Sequence, residues 1–352
     1  MSAGAGRKVT ALERVLVSLG FKEPDRVPFF LLLTTHGARE LGMSIRDYFS
    51  DPEAMAEGQI RMQRRYGHDS LYAFAYAAIE IEAWGGDVGF VVDGPPNAAS
   101  LLASDAAGID RLRAPAIGDC PCLERMLEAI RLMKERSGEE LPIIGVVMSP
   151  FSAPIMQIGF SAYLDLIHED RERFWRLMAL DRDFCARWAN AQLEAGATAI
   201  CYFDPFSSTD MVPRELYLET GYRIACQTIA SIQGPTATHF ASGRGLSLIG
   251  DVVETKTAIL GISALDDLGE AKRISDGRIA LLGNLDGIAM RNWSGEDAER
   301  EVKQAIRAAG RGGGFILSDN HGEIPWSVPE SVLDSVAEAV RAWGTYPLDW
   351  VR

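Results

Sequence analysis

Two rhythms of apolar and polar residues alternate along this chain. Stretches with apolar residues at helical spacing give way to short, nearly continuous apolar runs. Thr10 to Gly20 is the first helical stretch, opened by a capping Thr and closed by a Gly. Phe29-Phe-Leu-Leu-Leu33 is the first apolar run, the pattern of a strand buried on both faces. The same reading predicts helix over 45–66, strand over 70–74, helix over 124–136 and strand over 142–148. Helical text then reaches Gly196, and strand 198–203 follows. Beyond a helix-length block at 213–232 come a strand ending at His239 and strands over 258–263, 278–282 and 314–317. An irregular excursion over 75–120, with a short strand at 88–92 and a turn at 94–97, is the largest insertion. Eight strands separated by helices predict parallel βαβ units closed into a (β/α)8 TIM barrel: one domain over residues 1–352, preceded by its N-terminal helix. A doubly wound sheet would need a Gly-rich fingerprint after a strand, and Gly243-Arg-Gly245 alone is not one.

Composition narrows the chemistry. The formal net charge of −14 argues against nucleic-acid or acidic-membrane partners, which need a basic surface. Five scattered cysteines form no disulfide framework, and Cys120-Pro-Cys122 lacks the second pair of a zinc site. No apolar run approaches the roughly 18–20 residues of a membrane span. Met1 to Lys8 lacks the apolar segment of a signal peptide, so a cytoplasmic location is expected.

Barrels of this kind carry their chemistry at the C-terminal ends of the strands. Those positions hold Thr35 and His36, Ser149, Asp204, His239, Asn284 and Asp286, and Asp319, Asn320 and His321. His239 and His321 stand out, because the chain has only five histidines and these two close buried strands. Plainer roles compete: Asp204 before Pro205 suits a cap or turn, and Asn284 and Asp286 suit a tight turn. Glu80 and Glu82 alternate with apolar residues in the insertion and are candidates to reach the mouth. His68 precedes its strand and reads as structural; His168 reads as surface. A nucleophilic serine elbow is absent, and the strand ends show few of the aromatic platforms of a sugar site.

Several of these motifs, in this order and spacing, resemble the uroporphyrinogen decarboxylase superfamily. They are Glu13-Arg14 with Pro24-Asp-Arg-Val-Pro28, Glu80-Ile-Glu-Ala-Trp-Gly85, Ser149-Pro-Phe151, Asp204-Pro205, Gly283-Asn-Leu-Asp286 and Gly313-Gly-Phe-Ile-Leu317. The resemblance runs from Thr10 to Trp343 and implies a (β/α)8 barrel. Decarboxylases of that family carry an arginine-rich segment after the first strand and a catalytic Asp after the second. Here the first position has no arginine before Arg39, and Tyr72-Ala-Phe-Ala-Tyr-Ala77 has no Asp. The resemblance is therefore to the corrinoid-dependent methyltransferase branch, whose thiol-methylating members bind zinc through H-x-C and a later Cys. This chain keeps His239 but has Ala241 and His321 at the cysteine positions.

That branch implies methyl transfer between a small O- or N-methyl substrate, or a pterin, and a corrinoid held by a separate corrinoid-binding protein. It also implies His239 and His321 as acid and base or as zinc ligands, completed by Asp204, Glu80 or Glu82, with Asp204 alternatively orienting a histidine. His36, Ser149, Asn284, Asp286, Asp319 and Asn320 would contact substrate, and a homodimer is expected. A decarboxylase-type lyase acting on a smaller acid, and a non-catalytic binding barrel, are the alternatives.

Overall fold

The computed structural model describes residues 9–351; Met1 to Lys8, read above for a signal peptide, lie outside the described residues. Nine strands occur among the described residues: β1 (Leu71–Ala73), β2 (Val88–Gly89), β3 (Asn97–Ala98), β4 (Ile143–Met148), β5 (Ala199–Phe203), β6 (Thr236–His239), β7 (Ile259–Gly261), β8 (Ala280–Leu285) and β9 (Phe315–Asp319). Seven of them form one parallel sheet in the order β1-β4-β5-β6-β7-β8-β9, curled with helices around it. β2 and β3 pair antiparallel within the excursion. The first helix, Ala11–Leu19, is closed at its N-terminus by a capping box between Thr10 and Glu13. The predicted helix over 45–66 is two, Ile45–Ser50 and Pro52–Tyr66, because Asp51 caps the second and Pro52 cannot continue the first.

The first predicted strand is the main departure. Phe29–Leu33 makes a single ladder bridge, Phe29 to Leu317. It nevertheless bridges the two edges of the sheet. Phe30 N–H donates to the Leu317 carbonyl (2.9 Å) and Leu317 N–H to that of Pro28 (2.9 Å). On the other side Asp69 N–H donates to the Phe29 carbonyl (2.7 Å), while Phe29 N–H goes to the Asp69 carboxylate (2.9 Å) rather than to a strand. Leu33 N–H then turns back onto the Leu31 carbonyl, and the chain leaves the ladder. The eighth stave is thus an extended segment pinned by a side chain.

Asp69 is the pin. It also accepts from Arg14 (2.8 Å) and from Arg26 (2.7 and 2.8 Å), tying the first helix, the seam and β1 together at the N-terminal pole. Inside the barrel every second residue packs inward: Phe30 and Leu32, Tyr72, Val146, Cys201, Ala237, Ile259, Ala280 with Leu282, and Ile316. Burying each large apolar side chain contributes about 1.5–3 kcal/mol, so this interior is a packed core, not an open pore. No helix of the described residues is long and apolar enough to cross a membrane.

Candidate active site

His239 ends β6 pointing into the barrel mouth, 1% exposed. Its ring stacks on Phe203 of β5 (centroids 5.7 Å apart, planes 25°). The other face has room only because β7 offers Gly261, where a Cβ would lie 2.5 Å from the imidazole. Ala241, held at φ +51°, donates its backbone N–H to His239 Nδ1 (3.0 Å). An Nδ1 that accepts a proton donor carries no proton of its own, so neutral His239 bears its hydrogen on Nε2. Nε2 is buried without a hydrogen-bond partner among the described residues. Burial, and then the neighbouring His321, lower the His239 pKa to about 3. At neutral pH the ring is uncharged and presents an N–H.

The loop after β9 arches over this floor. Asp319 is fully buried, its pKa pushed up to about 6 by burial, and its Oδ2 accepts from the backbone N–H groups of His321 (2.8 Å) and Gly322 (3.0 Å). Gly322 is pressed against Phe203 and His239, where a Cβ would approach them to 2.5 and 3.4 Å. Its carbonyl accepts from the Tyr72 hydroxyl inside the barrel (2.9 Å). His321 pairs its Nδ1 with the Ser242 hydroxyl (2.6 Å), and burial lowers its pKa.

One residue farther on stands Glu323, which the strand-end reading did not single out. Its Oε1 meets the Thr34 hydroxyl, and Thr34 shares the inward phase of Phe30 and Leu32. Burial pushes the Glu323 carboxyl up to about 7, Thr34 opposing the shift and Asp319 adding to it. Phe74 completes the floor against Phe203 (6.5 Å) and Tyr72 (5.8 Å). Inward parity at Thr34, Phe74 and Phe203 was legible in the sequence; the return of Glu323 onto Thr34 was not.

The other predicted residues hold the frame. Asp204 is bonded to hydroxyls instead of to a histidine: Ser149 (2.5 Å) and Ser152 (2.8 Å) on one oxygen, Ser207 (2.6 Å) on the other. Asn284 donates to the carbonyls of Ser263 (3.0 Å) and Asp266 (3.4 Å), and Asp286 caps the turn at Ile288 and Ala289. Asn320 accepts from Gly287 N–H (3.3 Å). Glu80 accepts from Met148 N–H (2.8 Å); Glu82 takes the Tyr76 hydroxyl and Arg125. His36 is buried beside Trp326 (6.1 Å), opening a short helix, with its pKa lowered to about 3 by burial. Thus His239, His321 and Asp319 gather over the mouth, and the remaining carboxylates are engaged around it.

A scan against family models matches residues 10–343 to the uroporphyrinogen decarboxylase (URO-D) family. The chain belongs to that family. Among curated relatives, a uroporphyrinogen decarboxylase of Methylococcus capsulatus is 28% identical over 86% of this chain and 87% of its own. One of Nocardia farcinica is 26% identical over 97% of this chain and 99% of its own. Among solved structures, a methyltransferase from Methanosarcina mazei superposes with a TM-score of 0.84 over 95% of this chain and 99% of that one, at 18% identity. A B12-independent methionine synthase from Shewanella follows at 0.52 and 14%, over 84% of this chain and 89% of that one. The URO-D barrel fold is thereby established.

The residues at the mouth of this URO-D barrel do not suit the zinc of the thiol-methylating branch. Among the described residues no three of His, Cys, Asp and Glu are placed so that they could hold one metal ion, His239, His321 and Asp319 included. A metal on His239 Nε2 would need the ring proton moved to Nδ1, against the Ala241 N–H already aimed there. Zinc-bound histidines instead donate that second nitrogen to an acceptor.

Proposed function

We propose that this URO-D family barrel is a corrinoid-dependent methyltransferase that takes the methyl group of a small O- or N-methyl compound, without zinc. The observation that carries the reading is the make-up of the mouth: an aromatic floor of Phe74 and Phe203 beneath an imidazole N–H and a carboxyl of raised pKa. Uroporphyrinogen presents many carboxylates, and Arg39, Arg125 and Arg244 are already engaged within the protein. Arg39 bonds the Trp326 and Val328 carbonyls and stacks on Trp326, Arg125 pairs with Glu82, and Arg244 with Asp210.

The corrinoid, brought by a separate protein, supplies the nucleophile that accepts the methyl group. Apolar side chains exposed on the loops after five barrel strands suit such a docked carrier. Val92 (91% exposed) follows β1, Phe160 β4, Met211 β5, Leu265 (69%) β7 and Ile288 β8. The chain's own residues do the rest. Phe74 and Phe203 exclude water from the methyl carbon, and His239 Nε2–H binds the donor's heteroatom and orients it.

The test is incubation of the purified protein with reduced cobalamin and a panel of methyl ethers and methylamines. Transfer changes the corrinoid spectrum at a rate that depends on the protein and on His239. A second reading, decarboxylation of a small acid, is favoured by the names of the curated relatives. Release of carbon dioxide with no spectral change would replace the first reading by the second.

A further inference from the structure

We infer that residues 321–323 form a lid over His239, which rises to admit the methyl donor and closes on it, with the Tyr72 hydroxyl as its inner latch. The inference rests on the reading of His239 Nε2–H as the group that binds the donor, and adds to it how that group is reached.

Movement is required by burial. His239 is 1% exposed and its Nε2 is buried without a hydrogen-bond partner, so no donor meets it while the loop lies where it does. One face of the ring is closed by Phe203 and the other by Gly261, and both of these are fixed in the sheet. Gly322 covers the ring from a loop instead, and a Cβ there would lie 3.4 Å from Cε1, the carbon bonded to Nε2.

The segment is attached as a lid would be. Its ends are fixed by main-chain bonds, Asn320 N–H to the Leu285 carbonyl (2.8 Å) and Ile324 N–H to that of Leu32 (2.9 Å). Between them the main chain bonds to side chains. Asp319 Oδ2 accepts from the N–H groups of His321 and Gly322, and the Gly322 carbonyl accepts from Tyr72. Gly322 takes φ +88°, a region glycine enters freely, as it makes that bond. The His321 ring is tied to Ser242 and the Glu323 carboxyl to Thr34. Three side-chain contacts therefore separate as the lid rises, and the parallel sheet stays whole. The apolar side chains offered to the carrier follow β1, β4, β5, β7 and β8, so docking and closure use different loops.

The closed site is short of hydrogen bonds. Ser318 Oγ and Asp319 Oδ1 at the root of the lid, and His239 Nε2 beneath it, are all buried without partners. Unpaired buried groups favour the state in which water reaches them, so the empty site is weakly held shut. A donor whose heteroatom accepts from Nε2–H supplies one missing partner and shifts the lid toward closure.

Amide hydrogen exchange followed by NMR on the protein alone tests the lid without reference to the reaction. The His321 and Gly322 amides should be protected at least about 10-fold less than those of Asn320 and Ile324, although all four are hydrogen-bonded. Tyr72→Phe, which removes one hydroxyl, should lower the protection of the first pair about 10-fold further and leave the second pair alone. Ser242→Ala releases the lid from its outer side and should act in the same direction. Equal protection of the four amides in wild type, unchanged in both variants, would overturn the inference whatever becomes of the transfer reading. A donor that is demethylated should, at saturation and without corrinoid, restore protection to His321 and Gly322; one that leaves them as before would overturn closure. In the cobalamin assay Tyr72→Phe should raise the KM for that donor about 10-fold with kcat changed less, since the latch favours the closed state. A loss confined to kcat would remove Tyr72 as the latch. Failure with every methyl donor, beside the expected exchange pattern, would sink the methyltransferase reading and leave the moving lid.

Discussion

One backbone N–H sets the chemistry of His239. Ala241 sits in the left-handed region that non-glycine residues seldom adopt, at a cost of order 1 kcal/mol, and its N–H meets Nδ1. In apoprotein, nitrogen-15 NMR should therefore show His239 as the Nε2–H tautomer, uncharged down to about pH 4. Protein dialysed against zinc should retain none that His239→Ala removes. A stoichiometric zinc lost in that variant would overturn the assignment. Both histidines could be picked from their places at strand ends; the tautomer could not. It depends on a contact two residues away that follows from backbone geometry. Glu323 escaped for a related reason: no apolar period marks it, and only the return of its loop onto Thr34 brings it to the rim.

At the scale of elements, alternation of apolar runs with helical text was enough to locate seven barrel strands and their direction. It misjudged Phe29–Leu33, whose apolar run is that of a strand although its ladder is replaced by Asp69. Pattern reports burial on both faces, and this segment is buried on both faces; hydrogen-bond partners are a separate matter. The Asp69 latch also accounts for the Glu13-Arg14 and Asp25-Arg26 motifs, since Arg14 and Arg26 converge on its carboxylate. Asp69→Ala should cost about 1–3 kcal/mol, because the buried Phe29 N–H loses its acceptor and Arg14 and Arg26 lose a shared carboxylate, although Arg14 keeps Asp25. Asp69→Asn, which can still accept from Phe29, should cost less. Urea unfolding midpoints of the two variants check the order, and equal midpoints for both variants and wild type would dismiss the latch.

Across the whole molecule, buried carboxyls govern the response to pH. Burial raises Glu80 to about 8 and Asp181 to about 7, well above the values each would have unfolded. The unfolded chain therefore ionises them first. The stability they favour is complete in acid below their unfolded values and is lost as pH rises through about 7 to 8. Thermal midpoints should fall between pH 5 and pH 8.5, and Glu80→Gln with Asp181→Asn should flatten that fall. An unchanged slope in the double variant would refute the account.

Amino-acid order alone was sufficient for the barrel, its direction and the rim where the candidate site gathers. Those follow from local rules, namely apolar period, caps and the placing of polar residues where strands run out. What the rim can do was settled by folding. Whether a carboxylate meets a guanidinium, a hydroxyl or nothing, and which imidazole nitrogen keeps its hydrogen, are set by neighbours tens or hundreds of residues away. The electrostatics of burial then turn each such neighbour into a charge or a neutral donor.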